Sequence, residues 1–209
     1  METQFASFAC PDLNTLVQLA SDNIESARPW YSLASEEIRT ICLVEDWRVD
    51  RFTAILAVTS PRCAVRRNVR NTLQYMANGE LLANTMRSVR RSVEIWETRG
   101  EILGPKTSAF YAALMGDENA VVLDTHMAGL FAVDQKTAFN RKRELAHWTR
   151  VVRRVADLIG ESARDTQAAL WYSRKLAIGE NPELFPIALE YRNFLRHGRR
   201  FPQGKIDSE

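Results

Sequence analysis

The chain has 209 residues, 45% of them apolar and 26% charged, which excludes a disordered chain or a fibrous repeat and leaves room for a real buried core. The net charge of +2 hides a segregation, because residues 1–50 hold nine acids against three bases while residues 51–100 hold nine bases against three acids. Three widely spaced cysteines, Cys10, Cys42 and Cys63, argue against a disulfide framework or zinc knuckle, and no run approaches a secretory leader or the roughly 20 apolar residues of a membrane span. A cytoplasmic, nucleoid-associated protein with no membrane partner is the expectation.

In chain order, Asp12 reads as the N-cap of a helix through Ile24, which the Arg28-Pro29-Trp30 stretch breaks. Ser35, followed by Glu36 and Glu37, is expected to start the next helix, with the acids placed where the helix dipole favours them. Phe52 to Thr59 continues as an apolar helix stopped near Ser60-Pro61. Further helices are predicted over 64–77, 80–98, 106–115, 125–132, 140–159, 163–178 and 186–197. The clearest stripe is Leu145, Trp148, Val151, Val152, Val155, Leu158 and Ile159, ending at Gly160, with Arg150, Arg153 and Arg154 mainly on the other face. Ala120 to Leu123 is a short apolar run with no partner strand in sight and reads as a buried connector. The tail after Phe201 is expected to be disordered. The predicted class is all-α, one helical domain over 1–209.

Arginine supplies 23 of the 28 basic residues. Its planar fork suits phosphates and base edges, although GC-rich codon usage produces the same bias. Against that background Lys106 stands out, because an amine can deprotonate and act as a nucleophile where a guanidinium cannot. It lies in Leu103-Gly104-Pro105-Lys106-Thr107-Ser108, and Leu123-Asp124-Thr125-His126 follows eighteen positions after it. A glycine turn at a helix start can expose backbone N–H groups to a phosphate, which assigns that task to Gly104 and Thr107. The alternative reading is structural: Asp124 an N-cap, Lys106 a solvated first-turn residue.

These two segments resemble the hairpin and catalytic loop of the helix-hairpin-helix DNA glycosylase superfamily, most closely its endonuclease III-like branch. There a G-x-K-T turn and a V-D-T-H segment have the same lysine-to-aspartate separation. The resemblance covers about 52–175, with helical extensions over 1–50 and 178–209. It implies a two-lobed helical fold and a DNA glycosylase, with or without lyase activity, that extrudes a modified base from duplex DNA. Lys106 would be the nucleophile at the sugar C1′, and Asp124 would stabilise the charge developing there. Arg62, after Ile55 to Pro61, stands where the family presents a wedge to the duplex. Arg66, Arg67 and Arg70 follow at spacings suited to the DNA backbone. Phe110, Tyr111 and His126 are base-pocket candidates, and Asp165 to Tyr172 is similar to the late helix behind the family's active site.

The chain departs from the family at Ile102, where the hairpin normally carries a second glycine, and in a shorter approach to the hairpin. It also lacks the four-cysteine iron–sulfur loop, so no cofactor is expected, and His126, His147 and His197 lack metal-ligand spacing, so no metal is expected. A non-catalytic helical DNA-binding module using Arg62, Arg66, Arg67 and Arg70 is the alternative. A third is a structural protein whose acidic first 50 residues cover the basic surface or bind a partner.

Overall fold

The computed structural model describes residues 10–182 and 186–201. Among these the regular structure is entirely α-helical, in ten helices with no strand, so the protein is all-α. The chain divides into two compact units: Met1–Trp30 with Asp117–Glu183, and Tyr31–Gly116 with Leu184–Glu209.

In the first unit, α1 (Leu13–Ala27) starts where Asp12 accepts the Thr15 N–H at 2.8 Å, the N-cap expected from sequence. It buries Leu16, Ala20, Ile24 and Ala27, an i, i+4, i+8, i+11 stripe. That stripe packs on α9 (Ala163–Ala177) and on α8 (Lys142–Ile159). The Ser173 hydroxyl on α9 donates to the Leu19 carbonyl (3.0 Å) and accepts from the Asn23 amide (2.9 Å), fixing the α1–α9 register. Helix α8 turns Val152, Val155 and Ala156 inward and ends at Gly160, whose φ of 73° a side chain would strain. The short α7 (Thr125–Leu130) packs on α9. Ala120 to Leu123 before it are buried without forming a strand, as the connector reading expected.

In the second unit, α3 (Val49–Thr59) is central: every residue from Phe52 to Thr59 is buried. It packs on α4 (Val65–Asn78), α5 (Arg87–Arg99) and α6 (Pro105–Met115). Burying Phe52, Ile55, Leu56 and Val58 stabilises the fold by about 1.5–3 kcal/mol for each side chain. Its one polar end is satisfied from α4, where the Asn68 side-chain Nδ2 donates to the Leu56 carbonyl (3.0 Å) and the Thr59 hydroxyl donates to the Asn68 side-chain Oδ1 (2.6 Å). Helix α10 (Ile187–Arg196) packs on α4.

Two predicted boundaries are corrected. The second helix, α2 (Pro29–Glu45), starts at Pro29 rather than Ser35, since a proline at a helix's first turn forfeits no hydrogen bond. Ser35 is buried inside it, its hydroxyl 2.8 Å from the Tyr31 carbonyl and 2.7 Å from that of Leu114. The 80–98 helix begins only at Arg87. Residues before it are held by side chains instead: Asn71 accepts the Leu82 N–H (3.1 Å), Arg67 donates to the Ala83 carbonyl (2.9 Å) and Arg90 to that of Leu82 (3.1 Å). The tail after Phe201 lies outside the described residues.

Candidate functional site

Helix α6 opens at Gly104, whose φ of 92° a side chain could adopt only under strain. Pro105 follows at the first helical position, and no side chain caps the helix. The N–H groups of Lys106 and Thr107 therefore have no partner within the helix and point out of its positive end. Lys106, in this first turn, is half-buried. The Thr107 hydroxyl turns inward, donating to the carbonyls of Leu103 and Gly104, so only its backbone N–H is left for a ligand. Ile102, at the position of the missing glycine, offers its carbonyl to the Ser108 hydroxyl at 3.1 Å. This is a second tie across the turn.

Arg62 is exposed and adopts a left-handed backbone with φ 52°, the tight corner between α3 and α4 that puts its side chain outward. Arg66 is also exposed, and Arg67 is half-buried with its guanidinium on the Ala83 carbonyl. Arg70 turns inward: its Nε donates to the fully buried Glu190 carboxylate at 2.6 Å, and its guanidinium lies 5.5 Å from the Phe201 ring centroid. Phe110 belongs to the core, edge-on to Tyr31 at 6.5 Å. Tyr111 is half-buried against Trp96 at 6.2 Å, and burial together with the nearby Asp50 charge raises its phenol above the usual range.

The other candidates belong to the first unit. Asp124 is the N-cap of α7, one carboxylate oxygen accepting the N–H groups of His126 and Met127, both at 3.0 Å. His126 follows, half-buried and edge-on to Trp171 at 5.8 Å. Trp171 also meets Trp30 at 5.8 Å and carries the Lys175 ammonium over its ring at 5.0 Å. Sequence spacing placed Trp171 on α9 but gave no sign of these neighbours. Lys106 thus falls in one compact unit and Asp124 in the other.

A cleft of about 740 Å³ in the second unit escaped the sequence reading. Tyr75, Arg90, Glu94, Glu97 and Arg200 line it. Glu97 is tied to Arg51 at 2.9 Å, and the Tyr75 phenol is raised by burial first and by Glu97 second. Its charges come from Glu80, α5 and residue 200, too scattered in sequence to read as one motif. Among the described residues, no group of three or more His, Cys, Asp or Glu could hold a metal ion, and no helix is long and apolar enough to cross a membrane.

No curated protein and no solved structure matches this chain. One family model does match, over residues 15–176, which takes in all of the helices described above except α10 and the ends of α1 and α9. The chain belongs to that family, DUF7178, a family of unknown function.

Proposed function

We propose that this protein binds DNA and acts on it as a DNA glycosylase resembling the helix-hairpin-helix enzymes. The observation that carries the reading is the start of α6, an uncapped helix opened by a positive-φ glycine with a lysine in its first turn. Free N–H groups and the helix dipole favour a DNA phosphate there. Arg62 and Arg66, both exposed, and Arg67 supply further cations for the backbone. Arg70 does not join them, since Glu190 already takes its charge.

In the chemistry, the Lys106 amine lone pair attacks C1′ of an extruded nucleotide. The bond from C1′ to the base breaks, and the base leaves with that electron pair and takes up a proton; the nitrogen then loses a proton, and its lone pair forms the C=N bond of the Schiff base as the C1′–O4′ bond breaks, with O4′ keeping that electron pair and taking up a proton. In the family that the chain resembles, the aspartate matched by Asp124 stabilises the positive charge that gathers on the sugar as the base departs. Without lyase chemistry, water replaces the amine as nucleophile.

A second reading is a non-catalytic DNA-binding module, favoured by the two N–H groups that one Asp124 oxygen already accepts. Incubation with abasic-site DNA and borohydride separates the two. A trapped adduct that disappears in Lys106→Ala supports the lyase. No adduct, together with no base excision by the unmodified protein, leaves the binder, whose affinity should fall steeply with salt and lose no more in Lys106→Ala than in Arg62→Ala.

A further inference from the structure

Helix α8 carries a row of side chains that the reading above does not use. Arg143, His147, Arg150 and Arg154 follow at i, i+4, i+7 and i+11, so they fall within about 60° of arc and span about 16 Å of helix. All four are exposed, on the side opposite the buried Val152, Val155 and Ala156. Arg141, Lys142 and Arg153 flank them, also exposed. Among the described residues no carboxylate lies within ion-pair distance of any of these cations. Arg150 and Arg153 make only hydrogen bonds to the Ala146 and Asn119 carbonyls. Like charges at i, i+4 destabilise a helix, so the fold draws no support from this row.

Beside the row, within the same unit, lies an apolar groove of about 460 Å³ between the start of α1 and α8. Leu13, Leu16, Trp148 and Val151 form its walls, and His147, Arg150 and Arg154 form its rim. Trp148 is braced from behind by Phe131, stacked at 4.2 Å and 10°, and His147 meets its edge at 4.8 Å. A line of arginines along the rim of an aromatic-walled recess fits one kind of polyanion well, a flexible strand that offers phosphates at intervals and flat apolar faces between them. Duplex DNA keeps those faces stacked away. A lipid surface calls for a set of apolar side chains that project, whereas on α8 Val152, Val155 and Ala156 are buried and Leu158 is the one exposed large apolar side chain among the described residues.

We infer that the first unit binds single-stranded nucleic acid along α8, with phosphates on Arg143, Arg150 and Arg154 and a base in the groove against His147 and Trp148. This does not depend on the Lys106 chemistry, and either can fail alone.

The test uses the full chain and a fluorescein-labelled oligothymidylate of about twelve nucleotides, followed by anisotropy across a salt series. The triple variant R143A/R150A/R154A, made at exposed positions, should lose tenfold or more in affinity. Its log–log salt slope should shrink by about 2, or 0.7 for each phosphate contact removed. His147→Ala should narrow the preference for oligothymidylate over an abasic oligomer of equal charge. The charge-matched R87A/R91A/R99A on α5 should change affinity by less than about threefold. Equal losses in the two triple variants would overturn the proposal. So would an abasic oligomer or polyglutamate binding as tightly as oligothymidylate, or phosphatidylserine vesicles binding where the oligomer does not.

Discussion

Two arginine-rich helices share one sequence signature and meet opposite fates. On α4, Arg70 is locked to a fully buried carboxylate and Arg67 to a backbone carbonyl. On α8, Arg143, Arg150 and Arg154 stand in solvent with no ion partner among the described residues. The residue type and the helical spacing are alike, and the difference lies in what the rest of each unit brings within reach. An arginine met by a buried acid becomes part of the packing. An arginine left alone keeps its charge for something outside the fold.

The sharpest way to break this contrast is Arg70→Ala. Glu190 would remain buried with its charge uncompensated, which costs about 3–5 kcal/mol for a broken buried pair, toward the lower figure because the Arg70 side chain is 25% exposed. Urea unfolding should read that loss, and a cost below about 1 kcal/mol would put α4 in the same class as α8.

Tyr191→Phe probes a neighbouring tie in the same unit. The Tyr191 hydroxyl donates to Glu45 at 2.5 Å, and Arg199 reaches the same carboxylate at 2.7 Å. The Glu45 side chain is only 3% exposed, so losing the phenol should cost about 1–3 kcal/mol. Burial first, and then Glu45, push the Tyr191 phenol up to about 12. An unfolded tyrosine titrates near 10, so between about pH 10 and 12 the unfolded chain has released a proton that the folded chain retains. This contribution is complete below pH 10 and is lost as pH rises through 12. Cys42, raised to about 12 by burial and by Asp50, adds a similar fall from its own lower starting point. Tyr191→Phe should therefore flatten the alkaline limb of the stability curve by one proton's worth and leave the Cys42 part in place.

The same logic explains what was legible beforehand. Asp12, Gly160 and the Val151–Val152–Val155 stripe act over three or four residues, and local rules placed them. The all-α class followed from many such local signals agreeing. What depended on distant partners was not legible. Glu190 lies 120 positions from Arg70, and nothing near Arg70 announces it. The late start of α5 hangs on Asn71, Arg67 and Arg90 reaching the 81–86 stretch, whose own residues look helical. Ser35 looked like a cap because its context stopped at its own neighbours, while Pro29 and the Leu114 carbonyl decided otherwise. Of the candidate site, the glycine-opened turn at Lys106 and the N-cap at Asp124 are both local and both were anticipated. The aromatic surroundings of Trp171 and the groove beside α8 are tertiary and were not.

Asp124 allows its capping part to be separated from any chemical one. Asp124→Ala removes the acceptor for two N–H groups and should cost about 1 kcal/mol, whereas Asp124→Asn keeps a side-chain oxygen in place and should cost only a few tenths. If base excision falls in Asp124→Asn while the unfolding midpoint holds, the carboxylate does more than cap α7. If both substitutions act only on stability, the residue is a cap, and the case for a glycosylase loses its second member.

The smallest effect is expected on α8, and its sign carries the argument. Arg150 and Arg154 sit at i and i+4 with like charges, so Arg154→Ala should leave stability unchanged or raise it by about 0.2–0.5 kcal/mol at low ionic strength. Salt should erase the gain, because exposed charges are screened. Comparing urea midpoints in low and high salt for Arg154→Ala and Arg70→Ala puts both helices on one scale. A loss above about 1 kcal/mol at Arg154 would mean that α8 uses its arginines for packing after all, and the contrast with α4 would collapse. A gain at low salt would mean that the fold tolerates this row at a small cost, which is what a surface kept for a polyanion requires.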